Sequence, residues 1–171
     1  MINEQGQNQG VQQPAPERTH HYERRSVISG TLQDMIAFHE APAALSALTP
    51  PPIFIRVRGD TRTSMREGQL EFTLWFGPIP LRWMVQHEPG PTDTSFADRM
   101  LSGPVAYWRH EHIFREIDGG IELTDRLQYA HKRGIQGMFT RLMFNQVSLW
   151  LLFFYRHRRT RIALKGMTTV G

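Results

Sequence analysis

The sequence predicts an α+β fold: a curved antiparallel sheet of six or seven strands closed by one long C-terminal helix. Two observations carry this. Between residues 53 and 130, apolar residues recur at every second position in segments separated by turn-forming pairs such as Gly77-Pro78 and Asp118-Gly119. From Gln136 to Arg158 the period becomes that of a helix, with more than half the circumference apolar. One helix cannot cover six flat strands, so the sheet has to curl around it. A curled sheet closed by a helix leaves an interior gap of the kind that holds apolar ligands.

The 171 residues suffice for one domain with a real core. The absence of Cys removes disulfide frameworks, Cys-ligated zinc, iron–sulfur clusters and thiol catalysis. Residues 1–20 are rich in Gln, Asn, Gly and Pro and read as a disordered leader. They lack the apolar region of a signal peptide, which points to a cytoplasmic protein. Residues 21–158 then form the domain and 159–171 a basic flexible tail.

His21–Ile28 reads as the first strand. Thr31 is placed to cap a helix reaching Glu40, with Met35, Ile36 and His39 at helical spacing. A second short helix over 43–48 ends at the run Pro50-Pro51-Pro52. Strands follow at 53–58, 67–77, 81–87, 94–98, 105–117 and 121–130. In the last helix, Ile135, Met138, Leu142, Leu149 and Leu152 form one stripe, flanked by Phe139, Met143, Val147, Trp150 and Phe154. Arg141, Asn145, Gln146 and Ser148 interrupt it, which argues against a membrane span.

The chemistry concentrates in the last two strands. Alternation puts Trp108, His110, His112 and Phe114 on one face of the first, and Ile121, Leu123, Asp125, Leu127 and Tyr129 on one face of the second. A two-residue turn at Asp118-Gly119 pairs Ile117 with Gly120. Counting back, Phe114 meets Leu123, His112 meets Asp125, His110 meets Leu127 and Trp108 meets Tyr129. A slip of one residue would set apolar against charged rows.

An inward His112–Asp125 pair has three readings. It can be a buried carboxylate satisfied by an imidazole, since an unpaired Asp inside is costly. It can be a ligand-facing dyad in which Asp125 fixes the tautomer and His112 contacts a ligand oxygen or acts as general base. The third reading is a metal site of His110, His112 and Glu116, close to the first metal motif of cupins, though no second motif follows. No metal and no cofactor are expected.

Phe96-x-Asp98, Gly103-Pro104, Trp108-x-His110-x-His112-x-Phe114 and Asp125-x-x-x-Tyr129 together resemble the bacterial polyketide cyclase/dehydrase-like branch of the SRPBCC superfamily, which includes START domains and the birch-pollen-allergen fold. Phe38-His39, Leu45 and Leu48-Thr49-Pro50-Pro51 resemble the same family's segment after its first strand. The resemblance covers residues 21–155. It implies a helix-grip fold around a hydrophobic cavity that binds lipids, sterols, polyketides or other apolar small molecules. It brings no universal catalytic residue. The Gln-rich leader and the basic tail depart from the family core.

The expected ligand is thus an apolar small molecule or lipid, lined by Phe72, Leu74, Trp83, Val85, Trp108, His110, His112, Phe114, Asp125, Leu127, Tyr129, Met138, Leu142 and Trp150. The alternative is a cyclase or dehydratase-like enzyme in which His112, held by Asp125, removes a proton next to a carbonyl. His87 shares the apolar face of its strand and could join His112 or sit satisfied in the core. Nine cations and no carboxylate follow Asp125, although the whole chain carries only +4. Arg156, Arg158, Arg159 and Arg161 suit either a solvated helix end or contact with an anionic membrane. No nucleic-acid partner is expected, because the aromatic residues fall at buried spacing and do not interleave with the arginines.

Overall fold

The computed structural model describes residues 15–168; the expected leader falls largely outside them. Strand β1 (His20–Ile28) is followed by α1 (Leu32–Glu40) and the single turn α2 (Ala44–Ala47). Six strands come next: β2 (Phe54–Asp60), β3 (Gly68–Phe76), β4 (Ile79–Pro89), β5 (Ser95–Ser102), β6 (Tyr107–Ile117) and β7 (Gly120–Ala130). Helices α3 (Gly134–Met143) and α4 (Gln146–Thr168) close the chain.

All strands pair antiparallel in the order β1-β7-β6-β5-β4-β3-β2, a meander from β2 to β7 with β1 added beside β7. Register shifts at Val57/Gly59 and Met84/Val85 bend it, as bulges do. The β6–β7 register follows from the Asp118-Gly119 turn: Ile117 faces Gly120, His112 faces Asp125 and Trp108 faces Tyr129.

Helix α1 starts at a capping box: Asp34 N–H donates to Thr31 Oγ1 at 3.1 Å, and Thr31 N–H reaches back to Asp34 Oδ2 at 3.4 Å. It buries Met35, Phe38 and His39.

The C-terminal segment corrects the sequence reading twice. It is two helices, because Phe144 leaves helical geometry (φ −116°, ψ 43°) and Asn145 serves both ends. Asn145 Nδ2–H donates to Leu142 O at 2.7 Å, and its Oδ1 accepts from Ser148 N–H at 2.9 Å, capping α4. The break shifts the helical phase, so the stripe facing the sheet is Leu149, Phe153, His157, Thr160 and Leu164. That stripe also carries α4 ten residues beyond Arg158, through what reads in sequence as a flexible tail, since Leu164 is wholly buried beside Ile28.

The interior holds two apolar clusters. One gathers Leu70, Trp83, Trp108, Leu127 and Tyr129 under Leu149 and Phe153; the other gathers Ile28, Met35, Phe96, Phe114 and Leu123 under Leu164. Gly137 lets α3 approach the preceding loop, where a Cβ would meet Lys132 O at 1.7 Å. Among the described residues, no helix is long and apolar enough to cross a membrane.

Candidate functional site

Along β6 the inward row runs Trp108, His110, His112, Phe114; along β7 it runs Tyr129, Leu127, Asp125, Leu123. The apolar ends of both rows join the two clusters, so the histidines and Asp125 form a polar layer between them. A buried carboxylate is costly unless it is matched, and Asp125 is matched three times. His110 Nε2–H donates to Oδ1 at 3.0 Å and His157 Nε2–H to Oδ2 at 2.8 Å. His112 Nδ1 lies 2.9 Å from Oδ1, off its ring N–H direction. Ser26 Oγ–H completes the layer by donating to His157 Nδ1 at 2.8 Å.

Asp98 on β5 faces the same imidazoles from the cavity side. Its Oδ2 lies 3.3 Å from His112 Nε2 and 4.0 Å from His110 Nδ1, and its Oδ1 lies 3.1 Å from His87 Nε2. His87 Nδ1–H donates to Met65 O at 3.0 Å, and His39 Nδ1–H donates to Met35 O at 2.8 Å.

Burial opposes charge throughout this layer, and neighbouring charges decide which groups resist it. Burial alone would lower His112, but Asp125 and Asp98 outweigh it and raise His112 to about 9. Burial and the cationic His112 push His110 down to about 4, and the same two causes bring His39 to about 4. Burial would raise Asp98 and Asp125, yet the imidazoles hold both well below the usual carboxylate range. The layer therefore sets two carboxylates around His112, whose charged form they favour, while burial disfavours charge on His110 and His39.

That geometry corrects the proposed chemistry of His112. Both its nitrogens face carboxylates, which favour the protonated ring, and in that form it has no lone pair to accept another proton and does not suit a general base. Glu116 is also misplaced as a metal ligand, because it is exposed and pairs with Ile121 near the hairpin end.

A cavity of about 390 Å³ opens beside this layer, between β3, β4, the α1–α2 segment and α4. Phe72, Leu74, Trp83, Val85, Trp108, His110, His112 and Leu142 line it. Phe114, Leu127 and Tyr129 are buried but belong to the packed clusters, and Asp125 stands behind the imidazoles. Met138 and Trp150 turn outward, 66% and 50% exposed, because of the phase shift at Asn145. Leu142, 71% exposed, stands with Leu151 at the mouth.

The structure adds His39, His87, Asp98 and Arg156 to the wall. His39 shares the α1 stripe with Met35, and Asp98 follows Phe96 by two, so both had a periodic signal. Arg156 departs from the expectation of a surface cation. Falling seven residues after Leu149, it lines the cavity, where burial lowers its guanidinium below the usual value. Its Nε and the Trp83 Nε1 are buried donors with no acceptor among the described residues. Arg158, Arg159 and Arg161 are exposed.

No family profile and no curated protein sequence matches the chain. Solved structures do. An aromatase/cyclase from a Streptomyces species superposes with a TM-score of 0.62 at 12% identity, covering 88% of this chain and 93% of its own. A START superfamily protein from Mycobacterium smegmatis gives 0.62 at 8%, covering 86% and 99%. A major latex-like protein from Panax ginseng gives 0.62 at 9%, covering 85% and 97%. This is the helix-grip fold. In the helix-grip frame, the sheet wraps α4 and the cavity lies in the grip.

Proposed function

We propose that this helix-grip protein binds one apolar small molecule or lipid carrying an oxygen-rich or anionic end. The observation that carries the reading is the two-ended cavity. Aromatic and aliphatic side chains form most of its wall, while Arg156 and the histidine–aspartate layer make one part of it polar and the Trp83 indole adds an N–H donor to the aromatic part. Its size falls in the range of small-molecule sites, about 300–1,000 Å³. Unpartnered buried donors are rare in native proteins, and a ligand oxygen would satisfy them.

Native mass spectrometry of protein purified from its host tests this directly. A single co-purified apolar mass, displaced by a fluorescent fatty acid, is the expected result. The Arg156→Met variant should lose the preference for that acid over its methyl ester. A chain that carries no adduct and takes up neither probe removes the reading.

The ligand's source is proposed to be a membrane surface. Leu142 and Leu151 are exposed at the mouth, Met138 is exposed on α3, Trp150 and Phe154 are exposed on α4 beside Arg24 of β1, and Arg158, Arg159 and Arg161 are exposed further along α4. Each such cation near an anionic bilayer contributes about 1 kcal/mol. Salt-sensitive co-sedimentation with phosphatidylserine vesicles is expected, and no sedimentation at low salt would remove this part.

A further inference from the structure

We propose that Asp98, His110 and His112 bind one divalent first-row transition metal ion, zinc or ferrous iron by donor type, at the polar end of the cavity. Donor atoms of the three side chains lie within 4.8 Å of one another. Asp98 Oδ2 is 3.3 Å from His112 Nε2 and 4.0 Å from His110 Nδ1. Ligand bonds of about 2.0–2.2 Å place two donors of one ion roughly 3–4 Å apart, so rotamer adjustments alone would close the set. Two imidazoles and one carboxylate are a donor set suited to these ions, and the ion takes the place of the Nε2 proton of His112, which is released to solvent on binding.

The groups behind the donors make the stronger argument. A metal-bound imidazole characteristically gives its other N–H to a carboxylate or a backbone carbonyl, which fixes the tautomer and aims the free nitrogen. Here Asp125 stands behind both histidines, on the far nitrogen of each: it accepts from His110 Nε2–H and lies 2.9 Å from His112 Nδ1. His87 repeats the arrangement, with Nδ1–H on Met65 O and Nε2 3.1 Å from the other Asp98 oxygen, and so is the nearest further donor. The three ligands sit on adjacent paired strands, a rigid platform. All three line the cavity, which supplies an entry path and leaves one side open. The site is independent of what fills the apolar part of that cavity.

The test uses the untagged full-length chain, stripped with a chelator and titrated with Co²⁺, then with Zn²⁺ as competitor. One Co²⁺ per chain with visible absorption bands, displaced by Zn²⁺, is expected. Asp98→Ala and His110→Ala should each weaken binding by ~10-fold or more. His21→Ala and Glu116→Gln, at the surface, should leave it unchanged. Circular dichroism checks that the variants fold; Asp98→Asn and His110→Gln replace any that do not. Absence of saturable binding by the wild type, or wild-type affinity in folded variants, overturns the site. Uptake of a fluorescent fatty acid by the stripped protein is read in parallel, so failure of the cavity reading is seen separately.

Discussion

Asp125→Asn is the sharpest perturbation of the charged layer. It keeps the shape and removes one negative charge that faces three imidazoles at 2.8–3.0 Å. One carboxylate oxygen becomes an NH₂ group, so a donor meets a donor unless an imidazole changes tautomer. His157 can do so, since its Nδ1 faces the Ser26 hydroxyl, which can accept as readily as donate. His112 cannot, because its second carboxylate, Asp98, holds it charged. The variant therefore leaves a buried imidazolium half-compensated. Removing one partner of a buried ion pair costs about 3–5 kcal/mol, a large share of the ~5–15 kcal/mol that holds a domain folded. Urea unfolding at pH 7 followed by tryptophan fluorescence measures it. In thermal unfolding, at roughly 2–4 °C per kcal/mol for a chain of this size, the melting temperature should fall by about 6–20 °C. Uptake of an apolar probe should persist in the folded fraction, because Asp125 stands outside the cavity wall. A loss below ~1 kcal/mol would show that the layer is not held by charge, and the account of it would fail.

Three further outcomes follow from the same coordinates. In chelator-treated protein, stability should peak near pH 6.5. The raised His112 contributes fully below its unfolded value and is lost as pH rises through about 9; His39 and His110, lowered to about 4, withdraw stability as pH falls from 6.5, joined below by the depressed Asp98 and Asp125. Melting temperature across pH 4–10 reads this as a dome, and a flat profile contradicts it. Val85→Phe extends a wall residue into the cavity and should cut apolar-probe affinity ~10-fold or more with little loss of stability, as titration and urea unfolding would show. Asn145→Ala removes the cap of α4 and should cost about 0.5–2 kcal/mol by urea unfolding, whereas an unchanged midpoint would assign the helix break to packing alone.

Much of the grip was legible from period and turn chemistry. The Asp118-Gly119 hairpin fixes which β6 residue meets which β7 residue, and hydrophobic alternation supports the same register. That is why the His112–Asp125 pairing could be read from sequence. What was not legible depends on contacts between distant elements. Alternation places His87 on β4 and Asp98 on β5 on inward faces, but only the bend of the sheet brings them to His112. The break at Asn145 was hidden because the apolar run continues through it and Asn caps a helix only where the backbone stops. Missing it misplaced Met138 and Trp150, and it hid Arg156, whose direction follows from the phase of α4 alone.

The bond from His157 to Asp125 has a mechanical consequence. It pins the middle of α4 to β7, so swinging that helix aside would strip a buried carboxylate of a donor. Helix α3 buries only Gly137 and Thr140, and His131 and Thr140 share its side-chain tie to the preceding loop. If the cavity holds a guest, α3 is the wall element whose displacement at the Phe144-Asn145 elbow would break the fewest of these ties, and the rate of its release would then be separable from the stability of the α4–β7 frame.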